Sequence, residues 1–196
     1  AERDGSGIID IYQLDRASNK DMQRLQDLSV PFMSFITRED AFWIGVRQNR
    51  ITIVGSNGRG TAYGILELSR LAGVSPWIWW GDVTPERKNR LTLSDRYETM
   101  QSPSVPERGI SLQGTQWSAL VWDHQQLDKH FRQDALGPVY YHQLFELMLR
   151  LRANTLYTGT ATSSRSHLHI KSGNEVADSF DINIINHQKG HVYSDD

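Results

Sequence analysis

Hydrophobic positions along the 196 residues fall into three patterns. The first is strict alternation: Phe42, Ile44 and Val46 share one side of an extended segment, and Ile51 to Val54 follow after Gln48-Asn49. A period of two predicts half-buried strands. Asn tolerates the left-handed backbone of a tight turn, so the pair reads as an antiparallel hairpin. The second pattern is helical spacing. Met22, Leu25 and Leu28 recur behind Ser18 or Asn19 as a cap, and Ile65, Leu68 and Ala72 form a stripe over 61–72 that stops at Gly73. Tyr140, Leu144, Leu147, Met148 and Leu151 likewise share one side of 139–152. The third pattern is the short apolar run of strand length, at Ile8 to Leu14, Arg108 to Gln113, Asn154 to Tyr157 and Ile182 to Ile185.

The order of these elements divides the chain. Residues 1–100 read as an α+β domain built on the hairpin with at least two packed helices. Residues 81–107 are polar, with a brief strand expected at Leu91 to Leu93 and prolines at 103 and 106, and 101–107 is the linker proper. In 108–196 a strand, a long loop holding Trp117 and Trp122, a helix and a second strand follow in turn. That is a βαβ unit with parallel strands and a crossover helix. The last forty or so residues are rich in Ser, His, Asn and Asp around the third strand candidate.

Composition narrows the class. With 38% hydrophobic and 22% charged residues the chain reads as globular protein. A formal charge of -2 leaves no electrostatic footprint for nucleic acid. No apolar run approaches the roughly 18 residues of a membrane span. The absence of cysteine excludes a disulfide framework and a Cys nucleophile.

Several candidate chemistries fail on spacing. Gly58, Gly60 and Gly64 follow a strand and open a helix, but Tyr63 stands where a dinucleotide fingerprint needs its third glycine. Thr61 replaces the lysine of a phosphate loop. A tight strand-to-helix turn is the reading that remains, with Gly64 allowing close helix–sheet approach. His167, His169, His187 and His191 lie near Asp178, Asp181, Asp195 and Asp196 in sequence, without the spacing of a zinc helix, so no metal or other cofactor is expected. There is no Gly-x-Ser-x-Gly elbow. Glycoside hydrolysis needs paired carboxylates at strand ends, yet the strand ends here carry Gln113-Gly114 and Thr158-Gly159.

Three of the six tryptophans, Trp77, Trp79 and Trp80, cluster behind Gly73-Val74-Ser75-Pro76. Indole either fills a packed corner or offers a flat platform to a sugar. Their place at the close of the first domain predicts burial at a domain junction.

The run from Ile53 through Gly64 to Ser69, with Gly73-Val74-Ser75-Pro76-Trp77-Ile78-Trp79-Trp80, resembles the N-terminal domain of glycoside hydrolase family 115, the α-glucuronidases that trim glucuronic acid from xylan. Arg108-Gly109-Ile110, followed by Phe145 to Asn154, is similar to the opening of that family's catalytic barrel. The resemblance implies an accessory domain followed by the first βα units of an incomplete (β/α)8 barrel. It implies an exported parent protein (secreted or periplasmic) that hydrolyses a plant-type polysaccharide. The partners implied are the carbohydrate and the remainder of the same polypeptide, with neither nucleic acid nor membrane. Gln113, Tyr157 and His187 stand at strand-end positions as candidate sugar contacts. Where the family carries an Asn-Asp-Glu stretch with a functional acid, this chain has Gln113, Gly114 and Thr115, which implies a different subsite. A complete barrel takes about 250 residues, so the main catalytic carboxylates are expected beyond residue 196 and no useful catalysis is expected of these residues alone. Two other classes compete: a carbohydrate-binding module using Trp77, Trp79, Trp80, Trp117 and Trp122, and a structural module from a degenerate paralogue.

Overall fold

The structure, a computed structural model, describes residues 7–112, 119–131, 136–159 and 171–187. Contacts group the chain into two units that divide after Pro106. In the first, β1 (Ile8–Gln13), β2 (Phe42–Arg47), β3 (Arg50–Gly55) and β4 (Glu98–Gln101) form a sheet in the order β1-β3-β2-β4. β1 runs parallel to β3, while β2 is antiparallel to both β3 and β4. The hairpin turn places Gln48 and Asn49 at φ 50° and 62°, the left-handed geometry expected of a two-residue connection.

Both faces of the central hairpin are covered, so β2 is buried at five consecutive residues rather than alternately. On one face Trp43 and Val54 pack with Leu25 and Leu28 of and beside α1 (Asn19–Asp27), together with Leu14, Val30, Phe32 and Phe35. Ser18 caps α1 in a reciprocal box with Asp21. On the other face lies α2 (Gly58–Leu71), where Gly64 brings the helix against Ile53 and Phe42; a Cβ there would sit 2.5 Å from the Ile53 methyl. Gly73, at φ 98°, ends this helical stretch as expected of a C-terminal glycine.

The expected strand at Leu91 to Leu93 is not formed; the strand of this region is β4, on the edge of the sheet. β4 alternates between exposed and half-buried residues, and an edge strand that pairs through its backbone needs no apolar run to announce it. Arg47 stacks 5.0 Å over the Trp43 ring of its own strand and pairs with Glu98 of β4.

In the second unit, β5 (Gly109–Leu112), β6 (Thr155–Gly159) and β7 (Asn183–His187) form a parallel sheet in that order. The segment with Trp122, expected as loop, contains a helix, α3 (Ala119–Gln126); Trp117 lies outside the described residues. α3 precedes α4 (Pro138–Arg150), so among the described residues the connection from β5 to β6 holds two helices. α5 (Lys171–Ser179) joins β6 to β7 and packs on α4, with His142 and Phe180 edge to face at 4.8 Å. Its composition is polar, with Ala177 as its buried residue, so it lacked the apolar stripe that makes a helix legible.

Asn154 fixes the beginning of this sheet. It is 2% exposed, and its Oδ1 accepts from the Arg108 backbone N–H and the Thr155 hydroxyl, both at 2.9 Å. Its own N–H donates to the Arg108 carbonyl and its carbonyl accepts from Asn183 N–H. One residue thereby sets the register of all three strands.

Candidate functional site

The glycine-rich turn is filled by its own residues. Asn57 is the cap of α2, and its Oδ1 accepts from Gly60 N–H at 2.7 Å, while Thr61 N–H donates to the Asn57 carbonyl. Arg59 and the Asn57 amide both donate to Asp40, which is 1% exposed. Ser56 and Ala41 exchange two hydrogen bonds, joining β3 to the residue that precedes β2. The first turn of α2 thus spends its side chains and its Gly60 N–H on the fold, and the nucleotide reading has no geometric basis.

The second unit aligns its strands so that Leu112 faces Thr158 and Gly159 faces His187. The carboxyl ends of β5, β6 and β7 therefore lie side by side. The backbone of His187 stands on that edge as the last residue of β7. Gln113 lies outside the described residues, directly after the last residue of β5.

Tyr157 takes a different direction from the one expected of a strand-end contact. Its ring lies over Gly109, where a Cβ would come within 2.5 Å of it, and its hydroxyl donates to Glu107 at 3.3 Å. Glu107 and Gly109 stand at the beginning of β5, so the phenol leans toward the amino ends of the strands. The reason is local: Gly109 presents no side chain, and the ring occupies the space. Partial burial, the charge of Glu107 and the hydrogen bond to it raise the Tyr157 pKa, keeping the phenol a donor. Among the described residues the structure therefore does not gather Tyr157 with the carboxyl end of β7.

Sequence reasoning did not single out two acidic residues in this unit. Asp123, at 0% exposure, accepts from Gly137 N–H at 2.9 Å, and Asp128 accepts from Tyr140 N–H at 3.1 Å. Both carboxyls thus meet the beginning of α4. A single Asp in or just after a short helix carries no sequence signal of burial. Among the described residues no group of three or more His, Asp or Glu side chains is placed to hold a metal ion, and no helix is long and apolar enough to cross a membrane.

The tryptophan cluster contradicts the burial expected of it. Trp77 and Trp79 are 47% and 52% exposed, and Trp80 is half-buried. The reason is the turn that follows Gly73: hydrogen bonds from Trp80 and Gly81 N–H to the Trp77 carbonyl wind the segment so that residues 77 and 79 face outward.

With this geometry in view, the relatives can be placed. A solved family GH115 4-O-methyl-α-glucuronidase, described as specific for decorated arabinogalactans, matches with a TM-score of 0.75 and 34% identity over 85% of this chain. The profile of glycosyl hydrolase family 115 matches residues 100–192. The chain belongs to glycosyl hydrolase family 115. It spans 22% of the length of the solved glucuronidase. A family 20 β-N-acetylglucosaminidase (TM-score 0.49, 12% identity, 94% of this chain and 38% of that one) is a more distant likeness. So is a family GH138 enzyme targeting pectin rhamnogalacturonan II (TM-score 0.46, 13% identity, 92% of this chain and 31% of that one). No curated protein sequence matches the chain.

Proposed function

We propose that this chain is part of an exported glycoside hydrolase that removes uronic acid side chains from a plant-type polysaccharide, and that residues 108–196 supply the first βα units of its (β/α)8 barrel. In this reading 1–100 form an accessory domain and 101–107 the passage between the two. The observation that carries the reading is the 34% identity to a family 115 glucuronidase over most of the chain. The aligned carboxyl ends of three parallel strands support the barrel, because barrel enzymes build their sites from the loops at that face. Gln113 and His187 are the proposed sugar contacts there, and Tyr157 joins them only by releasing Glu107. The principal carboxylates lie outside these residues, and the chain alone does not turn over substrate.

Gln113-Gly114-Thr115 in place of the family's acidic stretch argues for a side chain other than the glucuronic acid of xylan. The test is to incubate the parent protein with glucuronoxylan and, separately, with decorated arabinogalactan, and to resolve the released sugars by chromatography. Uronic acid from either polymer supports the reading, and the faster polymer names the substrate. No uronic acid from either polymer, with release of a neutral sugar when pectin or arabinan is offered instead, overturns the uronic acid assignment and keeps the hydrolase class. A second reading, a carbohydrate-binding module without turnover, is favoured by the exposure of Trp77 and Trp79. It predicts saccharide-dependent quenching of indole fluorescence with no sugar released.

A further inference from the structure

The corner between α3 and α4 contains a pair of carboxyl groups that the proposed hydrolysis does not use. The last turn of α3 is closed by Leu127 and Asp128 N–H groups donating to the Asp123 carbonyl at 2.8 and 2.9 Å, which brings Asp123 and Asp128 together. Their side chains then clamp one helix start: Asp123 Oδ2 accepts from Gly137 N–H and Asp128 Oδ2 from Tyr140 N–H. Gly137 is the cap of α4, and Asp128 packs so closely on it that a side chain there would collide with the carboxyl. Asp123 is fully buried, and its second oxygen, Oδ1, accepts no hydrogen bond among the described residues. A buried carboxylate with one bare oxygen beside another carboxyl is costly. A proton held between the two removes both the bare acceptor and the like-charge repulsion.

We propose that Asp123 and Asp128 share one proton, and that this proton latches the first turn of α4 to the end of α3. Asp123, the more buried of the two, carries the proton and donates it to a carboxyl oxygen of Asp128. The other titratable groups that bear on Asp123 are His124 on α3 and Tyr140 and Tyr141 on α4. His124 is the one of these whose charge favours ionised Asp123. Burial outweighs it, and together with the hydrogen bond to Asp128 raises the Asp123 pKa above the ordinary aspartate value. A raised folded-state pKa gives stability that is complete below the unfolded value and is lost as pH rises through the folded one. The latch therefore loosens as pH rises through the raised Asp123 value. It lies in the connection that leaves the carboxyl end of β5, so on the barrel reading it holds a loop at the mouth of the site.

The experiment uses the 196-residue chain and no substrate, so it fails or succeeds separately from the sugar-release assay. Carboxyl-carbon NMR across a pH series should give Asp123 a midpoint above the ordinary value of about 3.9. Over the window from that value to the raised midpoint, amide protection at Gly137 and Tyr140, corrected for intrinsic rate, should fall tenfold per pH unit and then level off, as release of one proton requires. Asp123→Asn supplies a permanent donor toward Asp128 and an acceptor for Gly137, and should flatten that dependence. If this variant does not fold, Asp128→Asn serves: its amide donates to Asp123, whose midpoint should then drop. An Asp123 that titrates in the ordinary range overturns the proposal. So does a pH slope that survives Asp123→Asn, or a midpoint indifferent to Asp128→Asn.

Discussion

Single residues in this chain act mostly as ties between segments, and Asn154 shows what one tie is worth. Its side-chain oxygen satisfies two donors at the start of β5 and β6 while its backbone reaches β7. Asn154→Ala leaves the part-buried Arg108 N–H without that acceptor, at a cost of about 1–3 kcal/mol. The midpoint of urea unfolding followed by circular dichroism would show it, and an unchanged midpoint would mean the register is set elsewhere. Asp40 and Arg59 form a more deeply buried tie, with side chains 1% and 12% exposed. Removing the guanidinium with Arg59→Met strands a buried carboxylate, and the expected loss is about 3–5 kcal/mol on the same measurement. Neither role could be read from the sequence. Asn154 and Asp40 each lie just before a strand, an ordinary place for a polar residue, and their partners lie 46 and 19 positions away. The direction of Tyr157 was hidden for the same reason, because it depends on the bare backbone of Gly109 in a neighbouring strand.

Elements were legible where periodicity was strong and invisible where the backbone alone does the pairing. The hairpin, α1, α2 and α4 follow from alternation, caps and apolar stripes, whereas β4 and α5 carry few apolar residues and are held by neighbours. β1 shows how such holding depends on pH. Asp10 meets Arg50 of β3 through two hydrogen bonds of 2.5 Å, with Arg24 a further 3.9 Å ion pair. The Arg50 hydrogen bond, opposed by burial and aided by the charges of Arg50 and Arg24, lowers the Asp10 pKa. A lowered folded-state value gives stability that is present above the unfolded value of about 3.9 and is lost as pH falls through the folded one. Amide exchange in β1 should therefore accelerate in acid relative to β2, and Asp10→Asn should abolish that acid sensitivity while weakening β1 at neutral pH. For α2, Gly64→Val places new atoms against Ile53 and Phe42 and should cost about 1–3 kcal/mol by overpacking, read as a lower melting temperature.

At the scale of the whole molecule the two units solve the problem of burial differently, and their stabilities should separate. The first unit covers both faces of its central hairpin: Trp43, Ile44, Ile53, Val54 and Tyr63 are all fully buried. The second has a parallel sheet in which, among the described residues, central β6 pairs on both sides while β5 and β7 each have one neighbour. Parallel sheets are stable when both faces and both edges are covered. Edge strands of both sheets expose apolar side chains, Ile110 of β5 at 40% as well as Ile8, Ile9 and Ile11 of β1. Among the described residues, however, the second sheet has a single central strand, with Leu156 fully buried, where the first has a doubly covered hairpin. That difference agrees with the family to which the chain belongs, whose solved glucuronidase is several times longer. The consequence is measurable without any substrate. In hydrogen exchange on the 196-residue chain, amides of β2 and β3 should report the slowest openings, because exposing them requires dismantling a closed core. Amides of β5 and β7 should exchange at least a hundredfold faster, a gap of about 2.7 kcal/mol in opening free energy at 25 °C, and β6 should lie between them. Equal protection across both sheets would show that the second unit is self-sufficient as a folded body, and would remove the packing argument for the rest of a barrel while leaving the sequence kinship untouched.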